Sequence, residues 1–297
     1  MDMRPLKHFL SLAETLHFGR ASDVCHVSPS TLSRSIRQLE ATLGVPLFER
    51  DNRHVALTRQ GRAFQEYARE ALEQWELIRH ALMEETQELA GEISIYCSVT
   101  ASYSFLYELL SDFRLRHPRI ELKLHTGDPA DSMARVLAGE EDMAITPRPR
   151  TLPDALAFKP MTISPLVFIA PSDGAAWIPA TPEVPTAEQW TRVPMILSES
   201  GLAREHSDTW FKALGITPHI YAQVAGNEAI VSMVGLGFGV GVVPRIVLDN
   251  SPLVERIRIL PVKPELPHYE VGLCVARRRL KSPLIRALWS EVSERQA

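Results

Sequence analysis

Residues 18 to 43 read FGRASDVCHVSPSTLSRSIRQLEATL, and they decide how the N-terminal part of the chain folds. The stretch predicts two short helices with a tight joint. Ala21, Val24 and Val27 supply small apolar contacts, and Ser28 followed by Pro29 is a helix-start signal. Leu32, Ile36, Leu39 and Leu43 then recur at spacings of four, three and four, which is one buried helical face. Ser30, Thr31, Ser33, Arg34 and Arg37 take the opposite face. Hydroxyls and guanidinium forks on a helix with an exposed N-terminal end suit phosphate oxygens and guanine edges in a major groove. An amphipathic helix with a merely solvated polar face gives the same pattern, so this stretch alone leaves both readings open.

The flanking residues decide between them. Leu6, Phe9, Leu10 and Ala13 form the apolar stripe of a leading helix that roofs the pair. After the second helix, Pro46, Leu47 and Phe48 lead into the polar run Glu49 to His54, and Val55, Ala56 and Leu57 follow. That is a small hairpin with Arg50 and Arg53 at its tip, closed by Thr58 and Gly61. A basic wing of this kind reaches a phosphate backbone or an adjacent minor groove. In this order the lines LKHFLSLAETLHFGRAS and VSPSTLSRSIRQLEATLGVPLFERDNRHVALTRQG resemble the DNA-binding domain of the LysR-type transcriptional regulators.

Size and charge agree with that resemblance. A chain of 297 residues exceeds one ordinary core, so two or three domains are expected. Residues 1–65 carry a net charge of +3 and the remainder −7, consistent with −4 overall. A basic head on an acidic body favours a nucleic-acid contact at the head. No apolar run of transmembrane length and no signal-peptide pattern occurs, so a cytoplasmic protein without a membrane partner is expected. Cys25, Cys97 and Cys274 are too far apart for a disulfide framework or a zinc set.

From Thr58 to about Glu88 the only helix-breaking residue is Gly61. Phe64, Ala68, Ala71, Trp75, Ile78 and Leu82 step by four, three, four, three and four, a narrow seam along one long helix. The seam predicts dimerisation, since so long a helix has little else to pack on. The alternative is a helix lying on its own domain's core. Leu89-Ala90-Gly91-Glu92 reads as a hinge.

Beyond Gly91, strands alternate with helices. Ile93 to Cys97, Ile120 to Leu124 and Asp142 to Ile145 make a first set, and Leu166 to Ala170, Met195 to Leu197 and Tyr221 to Val224 a second. This βαβαβ order predicts a mostly parallel sheet with binding loops at the strand ends. Glu270 to Ala276 returns to the first lobe as a strand before a final helix, Ser282 to Val292. The fold class is thus α+β and multidomain: a winged helix-turn-helix (1–60), a linker helix (61–90), and a two-lobed α/β body. Lobe I comprises 91–161 and 266–297, and lobe II 162–265. That body resembles the periplasmic-binding-protein-like effector domain of the same family.

Geometry then names a ligand site. Ser98, Val99 and Thr100 end one strand where a helix begins, Thr126 and Gly127 end the next, and Thr146 ends the third. Ser198 ends a strand of lobe II and faces them. Hydroxyls with helix N-termini make a carboxylate-sized cradle, although each serine or threonine taken singly also reads as a helix cap. Three further signals carry less. Gly235-x-Gly237-x-Gly239-x-Gly241 lacks the strand-before, helix-after setting of a dinucleotide loop and reads as a helix passing tightly into a strand. Asn227-Glu228 reads as a helix cap, and Cys97 as a buried structural thiol rather than a peroxide sensor.

Within the family, LHFGRAS, CSVTASYSFL, TGDPADSM and NEAIVSMVGLGFGVGVVPRIVLDNSP are similar to the branch that activates the ketol-acid reductoisomerase gene of branched-chain amino acid synthesis. The resemblance implies no cofactor and a small inducer, 2-acetolactate or 2-aceto-2-hydroxybutyrate. It also implies a double-stranded operator, a dimer or dimer of dimers, and a contact with RNA polymerase. A regulator responding to another organic acid or a redox signal is the alternative within the family. A two-lobed acid-binding protein or enzyme is the alternative outside it. The enzyme is disfavoured because the chain shows no nucleophile–base pairing, metal-ligand cluster or cofactor loop.

Overall fold

A computed structural model of the chain describes residues 3–50, 55–83, 89–173 and 186–292. It forms two compact units, Met1–Gln87 and Glu88–Ala297.

The first unit runs α1 (Arg4–Thr15), α2 (Phe18–Val24), α3 (Pro29–Leu43), β1 (Phe48–Arg50), β2 (Val55–Leu57) and α4 (Arg59–Met83). Its core holds Phe9, Leu12, Ala21, Leu32 and Ile36 fully buried, with Leu47 and Phe48 beside them. Phe9 meets Phe64 edge-on at 4.9 Å and Phe48 at 5.3 Å, so α1 is pinned to both the hairpin and α4. Ser28 caps α3 by accepting the Thr31 backbone N–H at 3.2 Å, and Gly44 closes the helix in the left-handed region at φ +71°. Two expected core contacts are corrected. Val24 ends the short α2 and is 63% exposed, and Leu43, the last residue of α3, is 42% exposed.

The Thr58-x-x-Gly61 close has a steric reason. The Thr58 hydroxyl accepts the Gly61 N–H at 2.8 Å and donates to the Pro46 carbonyl at 2.9 Å. A Cβ at residue 61 would lie 2.1 Å from the Leu47 carbonyl oxygen.

The second unit holds one continuous sheet. Its elements are β3 (Ala90–Cys97), α5 (Val99–Leu110), α6 (Phe113–Arg116), β4 (Arg119–Thr126), α7 (Ser132–Ala138), β5 (Met143–Pro147) and β6 (Leu156–Pro171). Then come α8 (Ala187–Arg192), β7 (Pro194–Ser198), α9 (Leu202–Ala213), β8 (His219–Val224), α10 (Asn227–Gly235) and β9 (Val240–Pro244). The chain finishes with α11 (Arg245–Asp249), β10 (Ile257–Leu260), β11 (His268–Ala276) and α12 (Pro283–Glu291). Strand order is β4-β3-β5-β11-β6-β9-β7-β8, with β10 also on β6.

Each lobe has a parallel wing, β4-β3-β5 in lobe I and β9-β7-β8 in lobe II. The expectation of a mostly parallel sheet therefore holds only at the wings. The strands joining them, β11 and β6, are antiparallel to each other and to β5 and β9, because the chain must cross and return. The long β6 makes the crossing itself: it pairs with β11 through Pro165 and with β9 from Leu166. The expected hinge is also corrected, since Ala90, Gly91 and Glu92 already pair with Arg119, Ile120 and Glu121 as strand.

The glycine run behaves as a tight helix-to-strand passage. A Cβ at Gly239 would lie 2.3 Å from the Pro194 carbonyl oxygen, and one at Gly241 2.3 Å from Ile230.

Candidate nucleic-acid interface and effector site

On α3, Ser30, Thr31, Arg34 and Arg37 are exposed and Ser33 is half-buried, all away from Leu32 and Ile36. The Ser28 hydroxyl sits 2.9 Å from that of Ser30 and 2.8 Å from that of Thr31, a row of hydroxyls at the helix start. Arg34 and Arg37 form no ion pair among the described residues. Arg50 differs from expectation. It lies in β1 rather than at the hairpin tip, pairs with Glu40 at 2.6 Å and stands 5.4 Å over the Phe18 ring. Its charge is engaged inside the unit. Arg53 lies outside the described residues.

The seam on α4 splits in two. Phe64 and Ala68 pack inward on α1 and the hairpin core, so these two do not belong to an exposed pairing face. Ala71, Trp75 and Ile78 line, with Tyr67, Leu39 and Leu6, an open groove of about 780 Å³ between α1, α3 and α4. Ile78 is 53% and Tyr67 59% exposed there. The Leu82 side chain lies outside what is described.

In the second unit, Ser98, Thr100 and Thr146 line a cavity of about 30 Å³ with Phe105, Asn227, Ile246 and Tyr269. That space holds about one water. The Ser98 hydroxyl accepts the Ala101 N–H at 3.1 Å, the N-cap of α5. Glu228, on α10, crosses from lobe II: one carboxylate oxygen accepts the Thr100 backbone N–H at 2.8 Å and its hydroxyl at 2.6 Å. Asn250 bridges the lobes again, donating to the Ser104 hydroxyl at 3.2 Å.

Four expected site residues stand elsewhere. Val99 is 40% exposed on the outer side of α5. Thr126 and Gly127 are exposed at the end of the edge strand β4, and the Tyr96 ring fills the space beneath Gly127, where a Cβ would meet its hydroxyl at 2.2 Å. Ser198 is half-buried, and its carbonyl accepts from Arg204 at 2.9 Å. In their place the cavity takes Asn227 and Tyr269, which are 6% and 5% exposed. The reading of Asn227-Glu228 as a cap is corrected too: Gly226 is the N-cap, and the Glu228 side chain is spent on Thr100.

The family models match both units. Residues 3–62 match the bacterial regulatory helix-turn-helix protein, lysR family, and residues 86–297 the LysR substrate binding domain. The chain belongs to the LysR family.

LysR relatives align over almost its full length. It is 46% identical over 293 residues to the HTH-type transcriptional activator IlvY of Salmonella typhimurium, covering 97% of this chain and 98% of the relative. The HTH-type transcriptional regulator IlvY of Escherichia coli K12 gives the same identity and coverage. Among solved LysR-type structures, a full-length OxyR variant from Pseudomonas aeruginosa superposes with a TM-score of 0.71 at 24% identity, covering 100% of this chain and 99% of that one. CbnR in complex with its target DNA gives 0.62 at 23% identity, covering 98% and 99%. These structures share the fold.

As a LysR-family DNA-binding regulator the chain is not an enzyme. No helix among the described residues is long and apolar enough to cross a membrane. Burial pushes the Cys97 thiol up to about 11, with the Glu228 carboxylate adding to it, and the Cys274 thiol up to about 12.

Proposed function

We propose that this LysR-type regulator is an inducer-responsive activator of branched-chain amino acid biosynthesis. The near full-length 46% identity to proteins named IlvY carries the reading. The inducer is a small α-hydroxy-β-keto acid, 2-acetolactate or 2-aceto-2-hydroxybutyrate, taken in the cleft of the second unit. Ser98, Thr100, Thr146, Asn227 and Tyr269 offer hydroxyl and amide groups suited to its carboxylate, hydroxyl and ketone. A cavity of about 30 Å³ is too small for such an acid, so binding requires the lobes to part.

Ser30, Thr31, Ser33, Arg34 and Arg37 read the operator from α3, with Arg53 on the wing. The groove lined by Ala71, Trp75 and Ile78 receives a second subunit, and two such dimers form the working tetramer. The regulator acts in the cytoplasm and activates through a contact with RNA polymerase. Inducer shifts the population between two assemblies that bend or space the promoter differently.

The test is binding to the DNA upstream of its own gene, at fixed salt, with and without 2-acetolactate. A change in affinity or bend with the acid is expected. Specific binding that ignores the acid would discard the inducer and keep the regulator.

A further inference from the structure

We propose that Glu228 is a built-in competitor of the inducer: its carboxylate occupies the donor pair that the inducer's carboxylate takes, and induction requires its displacement. The inference rests on reading the cleft as the effector site.

The donors are the Thr100 N–H and hydroxyl at the start of α5, both held by the same Glu228 oxygen at 2.8 and 2.6 Å. The α5 N-terminus carries partial positive charge, and the Ser98 hydroxyl accepts the Ala101 N–H there while its own O–H stays available as a donor. Glu228 also stands in the first turn of α10, so two helix N-termini converge on one carboxylate. Among the described residues it makes no ion pair with Lys, Arg or His. An anion is thus held between the lobes by neutral donors and helix ends alone, the features by which a protein holds a free carboxylate.

The neighbouring cavity wall supplies a second observation. The Tyr269 side chain is 5% exposed, lines the cavity, and has no hydrogen-bond partner for its hydroxyl among the described residues. That hydroxyl belongs to the cavity wall and is available as a donor to a bound acid. Glu228 therefore fills the carboxylate position and leaves the rest of the site unused. Since the Glu228–Thr100 pair is also a bridge between lobes, exchanging it for inducer removes a tie that keeps the cleft shut. Binding and opening become one event.

The experiment is isothermal titration of full-length protein with 2-acetolactate, comparing wild type with Glu228→Gln, Glu228→Ala and Thr100→Val. Loss of the Glu228 charge should tighten inducer binding about tenfold, the worth of one charge-assisted hydrogen bond. In both Glu228 variants, promoter binding without inducer should shift toward the induced wild-type pattern. Thr100→Val should weaken inducer binding. Weaker or unchanged binding in both Glu228 variants, with Thr100→Val still weakened, overturns the competitor and leaves the site. If Thr100→Val also binds like wild type, or wild type does not bind the acid, the cleft reading fails and the competitor falls with it.

Discussion

Glu40 and Arg50 form an ion pair at 2.6 Å, and the other Glu40 oxygen accepts the backbone N–H groups of Leu47 and Phe48 at 2.9 and 3.1 Å. One carboxylate thus ties α3 to the base of the hairpin. Glu40→Ala strands two N–H donors and is expected to cost about 2–3 kcal/mol. Thermal unfolding of the purified protein measures it. An unchanged midpoint would show that water replaces the carboxylate.

Arg34 and Arg37 face solvent without a partner among the described residues, so their removal should leave folding intact. Arg34→Ala is expected to reduce discrimination between operator and random DNA by about 1–3 kcal/mol, the worth of a base-reading arginine. If Arg37 contacts only phosphate, its alanine variant should weaken both DNAs equally and lower the salt slope by about one. Binding titrations at several salt concentrations separate the two. Full discrimination by Arg34→Ala would remove it from the interface.

The groove on α4 gives an association test. Trp75→Glu should place a charge in the groove proposed to receive a second subunit, and yield monomers in analytical ultracentrifugation with helical content preserved. Ala68→Glu, at a fully buried position, should instead unfold the unit. A Trp75→Glu protein that keeps its wild-type mass in solution would place the interface elsewhere.

Tyr269→Phe removes one hydroxyl from the cavity wall and keeps the ring. Inducer affinity should fall about five- to tenfold while operator binding without inducer stays as in wild type. Ser98→Ala also weakens the inducer response, and in addition loses the α5 cap, for about 1 kcal/mol of stability. A normal induction curve for both variants would empty the site of these two residues.

The buried thiols give a pH and reactivity test. Cys97 and Cys274 are raised to about 11 and about 12 by burial, so both are neutral thiols at pH 7 to 8. Alkylation of native protein followed by mass spectrometry should label the half-buried Cys25 and spare these two. In the unfolded chain the thiols ionise near pH 9, below the folded values. The protection they give is therefore complete below that pH and is lost as pH rises toward 11 and 12. Rapid labelling of native Cys97 at pH 8 would contradict its burial.

Local signals were legible and distant pairings were not. Ser28-Pro29 and the spacing of Leu32 and Ile36 mark α3 because capping and periodicity act within one turn. The α4 seam shows its period equally well, yet a period cannot say whether its partner is α1 of the same chain or another subunit. Phe64 and Ala68 went to the first, and Ala71, Trp75 and Ile78 remain open. Arg50 looks like a wing-tip cation until Glu40, ten residues earlier, is seen to hold it. Glu228 reads as a cap because Thr100 stands 128 residues away in sequence. Tyr269 carries no motif at all and enters the cavity only through the return strand β11.

The lobes are joined without a free connection on the β6 side. The strand is laddered to β11 up to Pro165 and to β9 from Leu166, and the Ser164 hydroxyl beside that junction accepts the Ile246 N–H at 3.1 Å. Such a joint offers no free swivel, because moving one lobe against the other must twist a ribbon that is hydrogen-bonded on both edges. Any displacement of one lobe against the other is accordingly shared along the paired ribbon rather than concentrated at a single residue.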